Sequence, residues 1–372
     1  GNGGEGDLVK YSVVRATERR ATCNDGSPPA YYVRMNTSSA SWLFYLQGGG
    51  GCYDEESCNE RFQSARSLMT SGLEPPAITG AGILSPSCVD NPATCTYNVV
   101  YIHYCTSDWW SGTHNASESG TKFSFFGKHV LRAVAQDLLD ASLHPQWSGH
   151  LKSAKLVLLA GASAGGVGTF QHADEFRNFL RGALSVGGAL QYGAIPDSGW
   201  FLPGRSLVDY RCTNNTQCNI QHRYKYGSGM WGLSPAQECA SRVGDEIWRC
   251  LFGEVAYKHV TSPIFPLFYS TDWWQALQDG VNVSSILSDH EKEWVMGRAT
   301  QVRDSLTSSR VQSGFVMNCF FHGILPFSIY STILIHGKSA ALAVRDWVDN
   351  GFPDSAWFDD CKGFDCNSSC PM

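Results

Sequence analysis

Runs of apolar residues recur along the chain, each closed by glycine or serine and followed by a stretch with helical spacing. Residues 42–47 (WLFYLQ) run into four consecutive glycines, Gly48 to Gly51, and residues 99–104 (VVYIHY) lead into a loop over 105–120. Residues 155–160 (KLVLLA) pass directly into GASAGG at 161–166, after which a helix is expected to about residue 181. Between these runs, 126–142 sets Val130, Val134, Leu138 and Leu139 on one face of an amphipathic helix. Residues 263–269 and 314–319 are later strand candidates, with a helical pattern over 291–307 between them. Strands this uniformly apolar, separated by helices, predict an α/β fold with a mostly parallel sheet covered on both faces. Residues 203–249 show little strand pattern and carry Cys212, Cys218 and Cys239, which reads as a lid or cap inserted between sheet elements. The glycine-rich residues 1–10 are expected to be flexible, leaving 11–372 as one α/β domain.

Composition narrows the function classes. The 372 residues are 43% hydrophobic, enough for a sizeable core, and their 28 basic against 34 acidic side chains give a net charge of −6. With no basic stripe, nucleic acid is excluded as the expected partner. No apolar run approaches the roughly 18 residues a membrane span needs. The sequence opens without a signal-peptide pattern, so the expectation is that any such signal has been removed. Fourteen cysteines, several in close pairs within Gly/Asn/Ser-rich stretches, read as a disulfide set in an oxidising compartment. Cys52 with Cys58, Cys88 with Cys95, Cys212 with Cys218 and Cys239 with Cys250 are spaced to close small loops; Cys23, Cys105, Cys319, Cys361, Cys366 and Cys370 have no partner assigned by spacing. No Cys-x2-Cys or His-x3-His cluster is present, and neither metal nor organic cofactor is expected. Asn-x-Ser/Thr sequons at Asn36, Asn115, Asn214, Asn282 and Asn367 are candidate glycosylation sites. Together these features predict a secreted, extracellular, oxidised monomer.

The chemistry centres on Gly161-Ala162-Ser163-Ala164-Gly165. A serine flanked only by Gly and Ala, between an apolar strand and a helix, suits the strained turn that raises a nucleophile above a sheet. Its hydroxyl needs a base to take the proton and a carboxylate to orient that base. In this arrangement the partners follow in the order acid, then histidine, at later strand ends. His322 lies just past the 314–319 run; His336, after residues 332–335, is the rival, and His290 sits in a charged stretch. Asp272, beyond the 263–269 run, is the first candidate for the acid, and Asp197, which also ends an apolar run, is the alternative. Backbone N–H groups must meet the developing oxyanion. The glycine run, through Gly49 and Gly50, and Ala164, next to the nucleophile, are positioned to supply them.

Several stretches jointly resemble one family, the secreted α/β-hydrolase carboxylesterases that include Notum and the plant pectin acetylesterases. They are TCNDGS at 22–27, LQGG at 46–49, TGAGILS at 79–85, SDWWSG at 107–112, GASAGG at 161–166, DSGWFL at 197–202 and CNSSCP at 366–371. The resemblance runs from about Cys23 to Pro371. It implies Ser163, Asp272 and His322 as nucleophile, acid and base, with Gly49, Gly50 and Ala164 as oxyanion donors. It also implies an acyl pocket lined by Gly51, Phe201, Leu251, Phe252 and Trp274. Notum removes a palmitoleoyl group from Wnt proteins, so the Notum-like stretches imply an acylated-protein substrate. Two departures from Notum's pattern bear on the acyl group. Gly50-Gly51 stand where it has Trp-Tyr and Trp273-Trp274 where it has Glu-Ala; Gln47 precedes the glycines and Gly323 follows the histidine. A glycine-rich mouth and a tryptophan-filled pocket suit the other reading, an acetyl esterase on polysaccharides or other extracellular glycans. A non-catalytic binding protein on the same fold is the third, and the presence of all three candidate catalytic residues argues against it.

Overall fold

In a computed structural model, which describes residues 6–204, 206–207 and 219–371, twelve strands are present. They are β1 (Leu8–Ser12), β2 (Ala30–Arg34), β3 (Ser41–Leu46), β4 (Ala77–Ile78), β5 (Asn98–Ile102), β6 (Leu156–Ala162), β7 (Gln191–Asp197), β8 (Leu267–Tyr269), β9 (Gly314–Met317), β10 (Leu334–Ile335), β11 (Lys338–Ser339) and β12 (Ala356–Phe358). Ten of them form one sheet in the order β12-β9-β8-β7-β6-β3-β5-β2-β1-β4. From β12 to β5 every neighbouring pair is parallel, whereas β2, β1 and β4 add an antiparallel flank. Connectivity and strand order are those of an α/β-hydrolase fold.

Alternation along the strands decides what each face buries. Trp42, Phe44 and Leu46 of β3 and Val157 and Leu159 of β6 share one cluster with Val130, Val134 and Leu138 of helix Gly127–Leu139 and with Val167, Phe176 and Leu180 of helix Ala164–Ala183. Leu43, Tyr45, Leu158 and Ala160 face the other way and pack with Ala340, Val344 and Trp347 of helix Ala340–Asp349. Helix Asp289–Ser308 joins the first side through Val302 and Leu306, against Phe268 and Val316. With both faces covered, no face of the parallel region can carry a polar stripe, which is why its strands read as continuous apolar runs.

Register sets where the strands end. Leu46 pairs with Gly161, Ala162 with Asp197, Asp197 with Leu267, and Tyr269 with Met317. The loops after β3, β6, β7, β8 and β9 therefore leave the sheet along one edge.

Some expectations change. Leu8 to Lys10, expected to be flexible, belong to β1, and Leu8 is buried. Strand 263–269 shortens to β8 because Pro263 and Pro266 remove ladder donors. The proposed cap contains helices Ile220–Trp231 and Gln237–Val243 and is tied down where Trp231 Nε1 donates to the Cys52 carbonyl (2.8 Å). The Cys212–Cys218 pair and Asn214 lie outside the described residues. Three pairs expected from spacing are bonded, namely Cys52–Cys58, Cys88–Cys95 and Cys239–Cys250. The unassigned cysteines form Cys23–Cys105, Cys319–Cys370 and Cys361–Cys366. Among the sequons, Asn367 donates its amide hydrogens to the Leu334 carbonyl and the Asp359 carboxylate, and Asn36 donates to the Thr96 carbonyl. Asn115 and Asn282 accept with their side-chain oxygens from the N–H groups of Glu118 and Ser284. Among the described residues, no helix is long and apolar enough to cross a membrane.

Cys23–Cys105 spans 82 residues and Cys88–Cys95 only 7. Loop-closure entropy is then worth about 4.5 kcal/mol for the first and about 2.4 kcal/mol for the second. Replacing Cys23 and Cys105 by Ala should lower Tm by several degrees more than replacing Cys88 and Cys95. Scanning calorimetry on the two double variants checks this; equal shifts would show that chain entropy does not govern the stabilisation.

Candidate functional site

Ser163 follows the last residue of β6 and caps helix Ala164–Ala183 with φ +56° and ψ −119°, a backbone conformation strained for any residue with a side chain. Its N–H donates to the Asp197 carbonyl (2.8 Å) and its carbonyl accepts from Val167 (3.0 Å). Crowding explains the small neighbours. A Cβ on Gly165 would collide with the Leu46 carbonyl oxygen. One on Gly48 would lie 2.5 Å from the Ala162 carbonyl oxygen and 3.0 Å from the Ser163 Cβ. The end of β3 and the serine turn are thus in backbone contact, which places the glycine loop beside Ser163.

Gly49 and Gly50 both take positive φ. Among the described residues, the N–H groups of Gly49, Gly50 and Ala164 donate to no protein acceptor. The loop is held instead through its carbonyl, since Arg61 Nη2 donates to Gly49 O (2.7 Å) while Arg61 Nε donates to Ser107 Oγ (2.8 Å). Cys52–Cys58 closes the start of helix Glu55–Ser64, which carries Arg61. Gly51 bridges to Asp108, and a Cβ there would meet Trp109 Nε1 at 2.7 Å. Asp108 is fully buried and accepts from Thr106 Oγ1 and from the N–H groups of Trp110, Gly112 and Gly127. Burial pushes its carboxyl up to about 6, against those four donors.

The acid and base candidates meet. Asp272, three residues beyond β8, caps helix Trp273–Gln278 with Oδ1 on the Gln275 N–H (3.0 Å) and places Oδ2 2.7 Å from His322 Nδ1. One oxygen fixes the carboxylate to the helix and the other fixes the ring. With Nδ1 so engaged, Nε2 is the nitrogen left for proton transfer, and it is buried without a hydrogen-bond partner among the described residues. Burial works against the imidazolium. The Asp272 charge and hydrogen bond outweigh it, with Asp197 adding, and hold His322 above the usual histidine value. The rivals are elsewhere. His336 is exposed, follows the small β10 rather than a strand of the main sheet, and sits 3.3 Å from Asp360. His290 is exposed on helix Asp289–Ser308. Asp197, the alternative acid, turns its carboxylate to backbone N–H groups of Ile324 (2.7 Å) and Leu325 (2.8 Å) rather than to an imidazole.

Aromatic rings wall the histidine. Trp274 and Phe201 lie 5.8 and 6.2 Å from it, centroid to centroid, and 5.0 Å from each other. Trp109 touches both, and a chain of contacts runs from it through Tyr224 to Phe252. Of the expected pocket residues, Phe201 and Trp274 are therefore at the histidine. Gly51 lies under Trp109, and Leu251 and Phe252 are buried farther along the same apolar cluster. A Cβ on Gly50 would sit 3.8 Å from the Trp274 ring, so the indole covers the glycine loop. Trp109, Tyr224, Arg61 and Ser198 were not singled out from sequence. The positive φ at Trp109 and the fold contacts that select these residues have no local sequence signal. A separate cleft of about 690 Å³, between helix Ala164–Ala183 and residues 233–260, contains none of these groups.

Comparison with known proteins gives the site a context. The pectinacetylesterase family model matches residues 4–371. The chain is 31% identical over 369 residues to palmitoleoyl-protein carboxylesterase notum1' of Xenopus laevis, covering 95% of this chain and 72% of that protein. It is 31% identical over 368 residues to palmitoleoyl-protein carboxylesterase NOTUM of Mus musculus, covering 94% and 70%. For NOTUM of Homo sapiens the identity is 30% over 366 residues, covering 94% and 71%.

A base acts only while neutral, so a raised His322 value moves the low-pH limb of activity upward. Asp272→Asn removes the negative charge that does most to raise it, so the His322 titration should move to lower pH. NMR of ring-labelled histidine, following the signal lost in His322→Gln, measures this. An unchanged titration would show that the Asp272 contact does not govern the base.

Proposed function

We propose a mechanism and a substrate class for this chain, which belongs to the pectinacetylesterase family and is a carboxylic ester hydrolase. Ser163 Oγ attacks the ester carbonyl carbon while His322 Nε2 takes its proton. Asp272 keeps the other ring nitrogen protonated and stabilises the imidazolium that forms. The carbonyl oxygen becomes an oxyanion and receives N–H groups from Gly49, Gly50 and Ala164. The tetrahedral intermediate collapses, the C–O bond breaks, and His322 returns the proton to the departing alkoxide. Water, deprotonated by His322, then attacks the acyl-enzyme, releasing the carboxylic acid and restoring Ser163. No metal or organic cofactor enters any step. The observation that carries this reading is the Asp272–His322 pair, whose buried Nε2 has no hydrogen-bond partner among the described residues, together with the strained turn that holds Ser163.

For the substrate we infer a fatty acyl ester on a protein; the Notum relatives are named palmitoleoyl-protein carboxylesterases. Phe201, Trp274, Trp109, Tyr224 and Phe252 make the surroundings of His322 apolar, which favours an alkyl chain over a hydrated acid. Six disulfides among the described residues support an extracellular setting. One specific observation favours a second reading. Trp274 lies over Gly50, where it shortens the space for an acyl chain and offers a flat ring to a sugar, as an acetyl esterase on polysaccharide requires.

Hydrolysis of p-nitrophenyl esters separates these readings. Ser163→Ala should lose several orders of magnitude in kcat/KM; equal rates for wild type and variant would end the esterase mechanism. With a fatty-acyl site, kcat/KM should rise from C2 to C8, since each buried methylene is worth about 0.8 kcal/mol, close to fourfold. A fall beyond C4, with acetate released from acetylated pectin or xylan, would replace it with the acetyl reading. In that case Trp274→Ala should shift the optimum to longer chains.

A further inference from the structure

Asp197 is fully buried at the end of β7. Its main-chain oxygen accepts from the Ser163 N–H (2.8 Å). Its side-chain Oδ2 accepts from Ile324 N–H (2.7 Å) and Leu325 N–H (2.8 Å), in the segment just beyond His322. Oδ1 accepts from Ser198 Oγ (2.8 Å), and that hydroxyl accepts in turn from Gly323 N–H (2.9 Å). Ser198 takes φ +45°, a strained conformation that turns its hydroxyl toward the histidine loop. Three successive N–H groups after His322 therefore end on two adjacent residues, one of which also holds the backbone of Ser163.

We propose that Asp197 and Ser198 are positioning residues for the esterase reaction, a brace that fixes the distance between Ser163 and His322. The proposal rests on the mechanism above, in which those two side chains exchange a proton. Proton transfer tolerates little error in that distance, and an ångström of displacement costs on the order of a hundredfold in rate. A buried carboxylate is a costly choice for mere loop packing, where a neutral acceptor would serve. Here its charge also bears on the base: it favours the imidazolium of His322. Burial raises the Asp197 carboxyl to about 6, against its hydrogen bonds and the attraction of His322. The titratable groups facing it are His322, Tyr45 and Tyr269, with Asp272 beyond Tyr269. Both tyrosines are held well above their ordinary value by burial and stay neutral. Burial thus leaves Asp197, like His322, open to protonation, and protonating either one impairs the site.

The test compares Asp197→Asn and Ser198→Ala with Asp137→Asn, a control at a buried carboxylate paired with Arg19 and remote from this edge. Asn keeps the shape and one acceptor, so the first variant is expected to fold; Ser198→Ala removes one link and serves if it does not. Both brace variants should lose 10- to 100-fold in kcat with KM within about threefold. Below pH 6, log kcat/KM of the wild type should fall with a slope steeper than one, and with unit slope in Asp197→Asn. Independently of turnover, the NMR titration of His322 should move to lower pH in Asp197→Asn and stay fixed in Asp137→Asn. A lowered Tm in the brace variants with unchanged kcat, slope and His322 titration would overturn the proposal and leave a loop anchor only. Loss of activity in Ser163→Ala together with an unmoved His322 titration in Asp197→Asn would overturn the brace while sparing the esterase mechanism. If wild type lacked esterase activity, the NMR titration would still decide whether Asp197 bears on His322.

Discussion

Contact between two stretches of main chain underlies the whole edge of this sheet. The Leu46 carbonyl occupies the place that a side chain on Gly165 would need, and Gly48 presses against Ala162 in return. Because β3 and β6 are paired neighbours with Leu46 opposite Gly161, both loops emerge at the same height. Side chains at these glycines would push the β3 loop outward, and its free N–H groups would no longer lie beside Ser163. The strain at Ser163 is tolerated because the flanking strand and the 20-residue helix overdetermine its position.

Around that contact the loops are organised by buried carboxylates that act on backbone. Asp108 collects three N–H groups and a hydroxyl; Asp197 collects two N–H groups and a hydroxyl. Irregular backbone inside a protein must satisfy its polar groups without a ladder, and a carboxylate can accept several at once. The arrangement costs desolvation, visible in the upward push on both acids. It gives loops a fixed geometry that strands alone do not supply. Disulfide Cys319–Cys370 adds a covalent tie to the loop carrying His322, as Cys52–Cys58 does near the glycine loop.

Much of this was legible in the sequence, for identifiable reasons. The parallel strands announce themselves because burial on both faces leaves them uniformly apolar. Ser163 stands out because only Gly and Ala fit its turn, and Asp272 and His322 because each follows an apolar run. What escaped is non-local. The antiparallel flank of β1, β2 and β4 pairs short, mixed segments whose partners lie far away in sequence. Cys23 and Cys105 are neighbours only because β2 and β5 are. Asp197 ends a strand as an acid should, and only the loop after β9 reveals that its carboxylate is already committed to backbone. The exposed His336 could be told from His322 only by which strand precedes it.

The aromatic wall has an optical consequence. Of the twelve tryptophans, Trp273 and Trp274 each have a ring centroid 5.8 Å from that of His322, and Trp109 is coupled to Trp274 at the same separation. An excited indole readily gives up an electron to a neighbouring imidazolium and hardly at all to neutral imidazole. Protonation of this one ring therefore dims two of the molecule's own fluorophores. The protein carries an intrinsic, label-free reporter of its base, placed there by the same rings that wall the histidine.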